Sequence, residues 1–376
     1  MMTRNLALLG AFLTLLSPAL AQTKPATPQE DPEVRMGREA HEEMLKSGLK
    51  LVTDPAQLQR VEGIGKKLAE IANKTVIPAL YGAENKTPYA YRFFIVDDPD
   101  INAFSLPGGF IYVNKGILKY AQSDDELAGV LGHEIMHSAH HHSARLQHEQ
   151  SKLNTQMAIA ALGAIFARVP INDTGNLLTG FQLVAIQKVN GYGQSAEKDA
   201  DQGGIILARA GAYNPVGMLT FMERLERDQR SRPDIELGIF RTHPPEKVRA
   251  EAMIKQISAL GLPINRRETS DILKVTTRLV SGLTEILVDG KVFLKMTAAD
   301  RAKQTASALN KAFDQDLQVY DISAKGKAVH VRGQMLITIE PSDSVAALSQ
   351  TPEKIAEDAC KALRMALYRY VLNGTL

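Results

Sequence analysis

The stretch "GHEIMHSAHHH", residues 132–142, constrains this chain more than any other because it places five histidines and a glutamate within eleven residues. In a helix, residues four apart share a face, so His133 and His137 can direct ring nitrogens at one metal ion. Glu134 follows the first histidine, where a carboxylate can take a proton from water and later pass it to a leaving amine. The pattern H-E-x-x-H therefore predicts a metal site with its own general base.

A single helix is predicted for this part of the chain. Ser123 and Glu126 have the spacing of a capping box, in which each side chain bonds to the free amide of the other residue. Apolar positions then recur at helical spacing, and we expect the helix to continue to about Gln150. Residues 140–142 would be partly exposed on that helix, because a tetrahedral site with one open position has no place for His141.

A catalytic zinc site takes three protein ligands and keeps one position open. The pattern H-E-x-x-H-x-x-G-x-x-H would require glycine at 140 and histidine at 143, whereas the chain has His140 and Ser143. The alternative is a glutamate on a second helix, and "SAEKDADQGG" supplies Glu197. Asp201 lies one turn later, where its carboxylate can accept the remaining N–H of a ligand histidine. The predicted cofactor is one Zn²⁺ ion per chain.

The pattern of the whole chain predicts the α+β class with two domains. Residues 34–262 begin with two helices, broken at "TDPAQ", and continue with strands in "YAYRFFIVDD" and "GGFIYVN" around the turn "LPGG". We expect this domain to be mainly helical, with a small sheet beside the histidine-bearing helix. Residues 271–376 alternate strands and helices and predict a small α+β domain with an accessory, partner-binding or substrate-presenting role.

The N-terminus has the pattern of a signal peptide. Arg4 precedes an apolar run at 6–16 and an A-x-A-like cleavage site, which predicts a cleaved segment at 1–21 and export to the periplasm. An uncleaved anchor is the alternative, but the apolar run is short for a bilayer that needs about 20 residues. Residues 22–33 are proline-rich and polar and predict a disordered leader. A lone Cys360 and a net charge of +2 indicate neither an internal disulfide nor a nucleic-acid partner.

Four segments in this order carry a resemblance to a known family. They are "INAFSLPGGFIYVNKGIL" at 101–118, "ELAGVLGHEIMHSAHHH" at 126–142, "EKDAD" at 197–201 and "THPPEKVRA" at 242–250. The chain resembles the HtpX-like family of gluzincin zinc metallopeptidases, which are relatives of the CAAX prenyl proteases. It is most similar to the soluble periplasmic members that act in outer-membrane protein quality control.

The resemblance implies a set of site residues: His133, His137 and Glu197 as zinc ligands, Glu134 as general base and acid, and Asp201 as the partner of a ligand histidine. It also implies that His243, in the proline-stiffened "RTHPP", approaches the zinc. There His243 would either stabilise the oxyanion of the tetrahedral intermediate or occupy the fourth position and hold the enzyme inactive. A histidine that only packs the loop is the third interpretation.

The implied function is that of an exported zinc endopeptidase for unfolded or misassembled envelope proteins, with the envelope assembly machinery as a candidate partner. A zinc-bound chaperone or assembly factor is the alternative, although a pure binder has no need of Glu134. Peptides bind proteases by adding a strand to a sheet edge, which we predict at Asn102, Ala103 and the strand around Phe110, unless this is a plain hairpin. The apolar run 157–170 predicts a lid, with membrane contact less favoured.

Overall fold

The computed structural model describes residues 30–84, 88–143, 145, 177–231, 239, 243, 248–315, 317–346 and 350–372, with the side chains of 177–192, 231, 345–346 and 371–372 left out. The predicted signal peptide at 1–21, most of the predicted leader and the predicted lid at 157–170 lie outside the described residues. None of the described helices has an apolar stretch long enough to cross a membrane.

Helices dominate the first part of the chain. Its elements in order are α1 (Pro32–Lys46), α2 (Pro55–Lys74), β1 (Arg92–Val96), β2 (Ala103–Leu106), β3 (Phe110–Asn114), α3 (Lys115–Tyr120), α4 (Asp124–Ala139), α5 (Leu177–Ala210), α6 (Val216–Ser231), α7 (Arg249–Ala259) and α8 (Arg266–Thr269). The first helix begins inside the predicted leader, because the Asp31 carboxylate accepts the free amides of Glu33 and Val34.

The second part of the chain contains two three-stranded antiparallel sheets, each followed by helices. Its elements are β4 (Val275–Val280), β5 (Leu283–Val288), β6 (Lys291–Met296), α9 (Ala299–Phe313), β7 (Ile322–Lys325), β8 (Ala328–Val331), β9 (Gln334–Thr338), α10 (Pro341–Ala346) and α11 (Pro352–Leu372). Its buried apolar side chains form their own cluster, from Leu273 to Leu367. The α+β class is confirmed, and the domain boundary between 262 and 271 stays a prediction.

The sheet of the first part has β3 at its centre, with β1 parallel and β2 antiparallel to it. The outer side of β1 is covered by residues 50–52, whose main chain bonds to Ile95 and Asp97. Among the described strands of this sheet, β2 is therefore the edge strand whose outer side has no partner strand. The prediction that the strand around Phe110 forms an edge is wrong, because β3 is paired on both sides and Phe110 is buried.

The histidine-bearing helix α4 lies at the centre of the larger core and packs against α2, α5, α6 and β2. It crosses α5 at two glycines. A Cβ added to Gly132 would lie 3.2 Å from the carbonyl oxygen of Gly204, and one added to Gly204 would lie 3.0 Å from the amide nitrogen of His133. Glycine permits such a close approach of two backbones. The close crossing brings the carboxylates of α5 within reach of the histidines of α4.

The helix α4 ends at Ala139, well before the predicted end near residue 150. His140 is the C-cap, and His141 has a φ of 57°, the left-handed conformation that commonly terminates helices. Beyond this turn the chain leaves the helix axis. The expectation that residues 140–142 are partly exposed helix residues is therefore wrong for His140 and His142, which are 1% and 5% exposed.

The start of α4 matches the predicted capping box only in half. The Ser123 hydroxyl accepts the amide of Glu126 at 3.2 Å, as expected. The Glu126 carboxylate, however, does not bond to the amide of Ser123, because it is buried and bonds to Arg224, the Thr220 hydroxyl and the amide of Gln122. A buried carboxylate needs a charged partner more than a helix amide needs a cap. Tertiary contacts thus replace half of the local motif.

Replacing Arg224 with leucine is expected to lower the free energy of unfolding by about 3–5 kcal/mol, because it leaves a buried carboxylate without its cation. Glu126 is fully buried and Arg224 is 5% exposed, with two hydrogen bonds of 2.7 and 2.8 Å between them. Urea unfolding of the variant measures the loss. The matched control is Arg230→Leu on the same helix, whose side chain is 72% exposed. A loss for Arg224→Leu no larger than that of the control would contradict the assignment.

Candidate metal centre

Helix α4, helix α5 and His243 together place four metal-binding side chains in one cluster. The nearest ligand atoms of His133, His137, Glu197 and His243 all lie within 4.8 Å of one another. The two histidines of α4 are one turn apart on the same face, and Glu197 lies on the facing side of α5. The structure thus brings together the residues for which the sequence predicted zinc ligation, although α4 and α5 are far apart in the chain.

The spacing of the nearest atoms of three of these side chains suits a tetrahedral zinc ion. His133 Nε2 lies 3.0 Å from His137 Nε2 and 3.3 Å from Glu197 Oε2, and His137 Nε2 lies 3.3 Å from Glu197 Oε1. Zinc–ligand bonds of about 2.0–2.1 Å in tetrahedral geometry separate the ligand atoms by about 3.3 Å. Two imidazole nitrogens and a carboxylate are also the donor types of catalytic zinc sites. The residues fit the metal that the sequence predicts.

The charge of the cluster supports the same conclusion. Glu134, Glu197 and Asp201 are each at most 5% exposed, and Arg249 is the one permanent cation that pairs with them among the described residues. With the histidines neutral, as metal ligation requires, three carboxylates and one guanidinium leave two buried negative charges, which are costly in a protein interior. A divalent cation between the histidines and Glu197 would neutralise them.

Asp201 contacts the ring nitrogen of His133 that faces away from the cluster. Its Oδ1 lies 3.0 Å from His133 Nδ1, so a hydrogen on Nδ1 would face this carboxylate and leave Nε2 with a lone pair toward the metal position. Arg249 holds Asp201 from behind with two bonds of 2.7 and 2.8 Å and also lies 3.1 Å from Glu197 Oε2. No sequence pattern indicated a role for Arg249, although it lies in the segment "THPPEKVRA".

His243 occupies the remaining side of the cluster. Its Nδ1 lies 2.9 Å from Glu197 Oε1 and 3.2 Å from His133 Nε2. Its Nε2 lies 3.2 Å from Glu134 Oε1 and 3.3 Å from the carbonyl oxygen of Ala103. The Nδ1 atom therefore points at the metal position, while Nε2–H faces two oxygen acceptors. His243 is thus one of the four residues whose side chains could hold a metal ion here.

Burial and charge set the protonation of the ligands. Burial lowers the pKa of His137 to about 4, so its ring is neutral at pH 7. Burial alone would raise the pKa of Glu197, but His243 and Arg249 outweigh it and hold that pKa well below its usual range. Glu197 is therefore an ionised carboxylate. Both residues are in the protonation states that bind metals. Burial would lower the pKa values of His133 and His243, but the neighbouring carboxylates outweigh it and raise them, so these two rings must give up a proton when a metal binds.

Glu134 lies beside the ligand atoms without joining them. Burial raises the pKa of its carboxyl, but the nearby His243 outweighs this effect and lowers the pKa, so the group is ionised. Its Oε2 is buried and has no hydrogen-bond partner among the described residues. Next to it is a small cavity with mostly apolar walls, formed by Val130, Met218, Phe221, Met222 and Ile239. An ionised carboxylate with a free oxygen in such surroundings can act as a general base.

The open edge strand β2 starts beside this cluster. The carbonyl of Ala103 points at His243 Nε2, and the amide of Ile239 donates to the carbonyl of Ile101. Asn102 is 8% exposed and pairs through its carbonyl with the amide of Asn114. Of the three predicted substrate-binding residues, Asn102 and Ala103 lie next to the candidate centre, and Phe110 lies inside the sheet.

The fold and this centre define the class of protein as a zinc-dependent metallopeptidase, with a helix-borne histidine pair and a glutamate from a second helix. The sequence profile of Peptidase family M48 matches residues 62–257, more than half of the chain. The chain therefore belongs to Peptidase family M48, and the predicted resemblance to gluzincin metallopeptidases is confirmed.

Curated relatives agree with this membership. The chain is 30% identical over 224 residues to the Beta-barrel assembly-enhancing protease of Escherichia coli (strain K12), covering 58% of this chain and 43% of that protein. It is 30% identical over 198 residues to Metalloprotease LoiP of the same strain, covering 52% and 72%. Mitochondrial metalloendopeptidase OMA1 of Schizosaccharomyces pombe is 26% identical over 211 residues, covering 56% and 59%. The chain spans less than half the length of the first of these relatives.

Proposed function

We propose that this chain is an exported zinc endopeptidase that hydrolyses peptide bonds of unfolded or misassembled envelope proteins. One observation carries the proposal: the ligand atoms of His133, His137 and Glu197 converge at the spacing of a tetrahedral zinc site, with Glu134 ionised beside them. One zinc ion per chain would be held by these three residues. When bound, zinc supplies Lewis acidity that polarises a carbonyl and makes water more acidic.

The residues of the chain have separate tasks in this proposal. Glu134 accepts a proton from the attacking water at its free carboxylate oxygen and delivers it to the leaving amine. Asp201 holds His133 in the tautomer that presents Nε2 to the metal, and Arg249 fixes Asp201. The walls of the small cavity beside Glu134 are mostly apolar, so few protein groups compete with the attacking water for the free oxygen of Glu134.

The substrate class follows from the edge strand. An extended peptide that pairs with the outer side of β2 next to Ala103 would be held by main-chain bonds, which do not depend on its sequence. A folded protein presents few extended segments of this kind. The relative named Beta-barrel assembly-enhancing protease supports an envelope substrate, with the barrel assembly machinery as a partner. The predicted signal peptide supports a periplasmic location.

The test compares the folded and the unfolded form of one substrate protein. Purified protein with zinc should cleave casein, which is unstructured, and should cleave an outer-membrane protein in its urea-diluted unfolded form but not after that protein has folded in detergent. Cell fractionation with a tagged chain should place it in the periplasmic fraction. Equal cleavage of the folded and unfolded forms would contradict the proposed substrate class.

The position of His243 favours an inhibitory role over oxyanion stabilisation. Its Nδ1 faces the ligand cluster at the place of a fourth ligand, where water would otherwise bind. Its Nε2 also lies 3.2 Å from Oε1 of Glu134, so it contacts the carboxylate that must act as the base. In this arrangement a substrate has to displace His243 before the centre can work. The same observation favours the second candidate function, a zinc-bound assembly factor whose site is mostly closed.

His243→Ala is accordingly expected to raise the rate of cleavage of one unstructured peptide, with self-cleavage as an additional sign, because the fourth position and Glu134 are freed. Zinc content should stay at about one per chain, since three ligands remain. His330→Ala, a histidine of β8, is the matched control and should leave the rate unchanged. A fall of about 10²-fold with zinc retained would instead assign His243 to the oxyanion. Equal rates would exclude both roles.

A further inference from the structure

A second group of buried polar side chains lies directly behind the candidate metal centre. It consists of His140, His142 and Asp199, which are each at most 5% exposed. His142 connects this group to the centre, because its Nδ1 lies 2.9 Å from Nδ1 of His137. Its Nε2 lies 3.0 Å from Asp199 Oδ2 and 3.2 Å from the carbonyl oxygen of Tyr81.

We propose that His142, held by Asp199, is a positioning residue that fixes the tautomer and orientation of His137 for zinc binding. The inference rests on the proposed role of His137 as a ligand. It parallels the arrangement at His133, whose Nδ1 lies 3.0 Å from the carboxylate of Asp201. At His137 the carboxylate of Asp199 acts through the imidazole of His142, which lies between them.

The placement of the hydrogens follows from the contacts of Asp199. Its Oδ1 accepts the amides of Leu80 and Tyr81, and its Oδ2 lies within hydrogen-bond distance of both buried histidines. A carboxylate only accepts, so Nε2 of His142 must carry the hydrogen and donate it. Nδ1 of a neutral His142 is then an acceptor.

The hydrogen between the two histidines therefore belongs to His137. With Nδ1–H donated to His142, the other nitrogen, Nε2, keeps its lone pair and faces His133 and Glu197. The reverse arrangement would place a hydrogen on His137 Nε2 and remove it as a ligand. Outer partners of this kind orient ligand histidines and raise their basicity. The hydrogen bonds from Asp199 to His142 and from His142 to His137 thus select the tautomer of His137 that can bind zinc.

The same group could be considered a second metal site, but its distances argue against this. His140 Nδ1 lies within direct hydrogen-bond distance of Asp199 Oδ2. The other nitrogen of His140 lies 3.0 Å from the carbonyl oxygen of Ile77. These are the distances of direct hydrogen bonds, and both oxygens of Asp199 are already engaged.

The test measures zinc affinity by competition with a chelator, which does not depend on peptidase activity. His142→Leu removes the acceptor and should raise the Kd for zinc by about 10–100-fold. His142→Asn puts an amide oxygen near the position of Nδ1 and should restore an affinity close to that of the wild type. The neighbouring His141→Asn is the matched control, because His141 bonds to Glu33 instead and asparagine tolerates its left-handed backbone.

Asp199→Asn gives a second variant that keeps the shape of the group. Its oxygen can still accept the amides of Leu80 and Tyr81, while its NH₂ group would donate to His142 and reverse the order of hydrogens. Zinc affinity should fall by about 10-fold or more. In the zinc-loaded wild type, ¹⁵N NMR of the imidazoles should show His137 protonated at Nδ1. Circular dichroism of the zinc-free proteins should show that the variants fold.

The outcomes test two claims separately: that His137 is a zinc ligand, and that His142 and Asp199 position it. A wild type that binds no zinc overturns both the centre and the positioning role. One zinc in the wild type, with equal affinity in His142→Leu and Asp199→Asn, overturns the positioning role alone. So does a His142→Asn variant as weak as His142→Leu, or a wild type with two zinc ions of which His142→Leu loses one. Reduced affinity in His142→Leu with rescue by asparagine supports the proposal.

Discussion

Replacing Glu134 with glutamine is expected to lower kcat on an unstructured peptide by about 10²–10⁴-fold, because an amide cannot accept the proton of the attacking water. Glutamine has nearly the same shape, and its Oε1 can still accept the hydrogen of His243 Nε2, which now lies 3.2 Å from Glu134 Oε1. Glu134 is not among the four clustered ligand residues, so zinc content should remain that of the wild type.

Two measurements on the same preparation separate the base from the ligands. Zinc per chain is determined by atomic absorption, and peptide cleavage is followed in single-turnover and steady-state experiments. Glu134→Asp is the informative control, because it keeps a carboxylate but withdraws it by one methylene group and should retain partial activity. Turnover in Glu134→Gln equal to that of the wild type would show that the proton transfer occurs elsewhere. Loss of zinc together with activity would make Glu134 part of the metal site.

Removal of a ligand residue should abolish zinc binding, whereas removal of the base should leave zinc bound. The wild type is expected to hold about one zinc per chain, and His137→Ala should lose it during dialysis, because only His133, Glu197 and the displaceable His243 remain to hold it. His137 lies 3.0 Å from His133 Nε2 and 3.3 Å from Glu197 Oε1, so its loss opens one complete side of the centre. Peptidase activity should disappear with the metal.

The control for His137→Ala is again a histidine of the same chain outside the cluster, His330→Ala, which should keep its zinc. Because His137 is 12% exposed, its removal should not unfold the chain, and thermal unfolding of zinc-free protein can verify this. Addition of excess zinc should restore activity only in part, in proportion to the metal bound. Full occupancy of His137→Ala after dialysis would remove this residue from the ligand set.

Much of the fold could be predicted from local patterns. The two helices before the sheet and the strands "RFFIV" and "FIYVN" lie where their periodicity and β-branched residues indicated. The order of strands could not be predicted this way, because it depends on pairing between segments distant in the chain. The central position of β3, which overturned Phe110 as an edge residue, is such a case.

The end of α4 is a second feature that local periodicity does not reveal. Had the helix continued, His142 would lie about 140° around the axis from His137, on another face. The left-handed residue His141 ends the helix and turns His142 back, so that the two rings meet at 2.9 Å. Nothing in the run of three histidines indicates which one turns. The half-formed capping box at Glu126 also depends on tertiary contacts that local periodicity does not reveal. The buried carboxylate of Glu126 bonds to Arg224 on another helix instead of the amide of Ser123.

The sequence by itself determined the chemistry of the centre, because residues one helical turn apart must share a face, which put His133 and His137 together with Glu134 beside them. It also indicated Glu197 and Asp201 on a second predicted helix, and the family resemblance added His243. Only the tertiary structure decided what surrounds them. Arg249 behind Asp201, the His142–Asp199 pair behind His137 and the contact of His243 with Glu134 all join residues from different elements. The physical reason is that buried charges and ring nitrogens must find partners in space, and spatial neighbours are set by the close helix crossing and by where each helix ends.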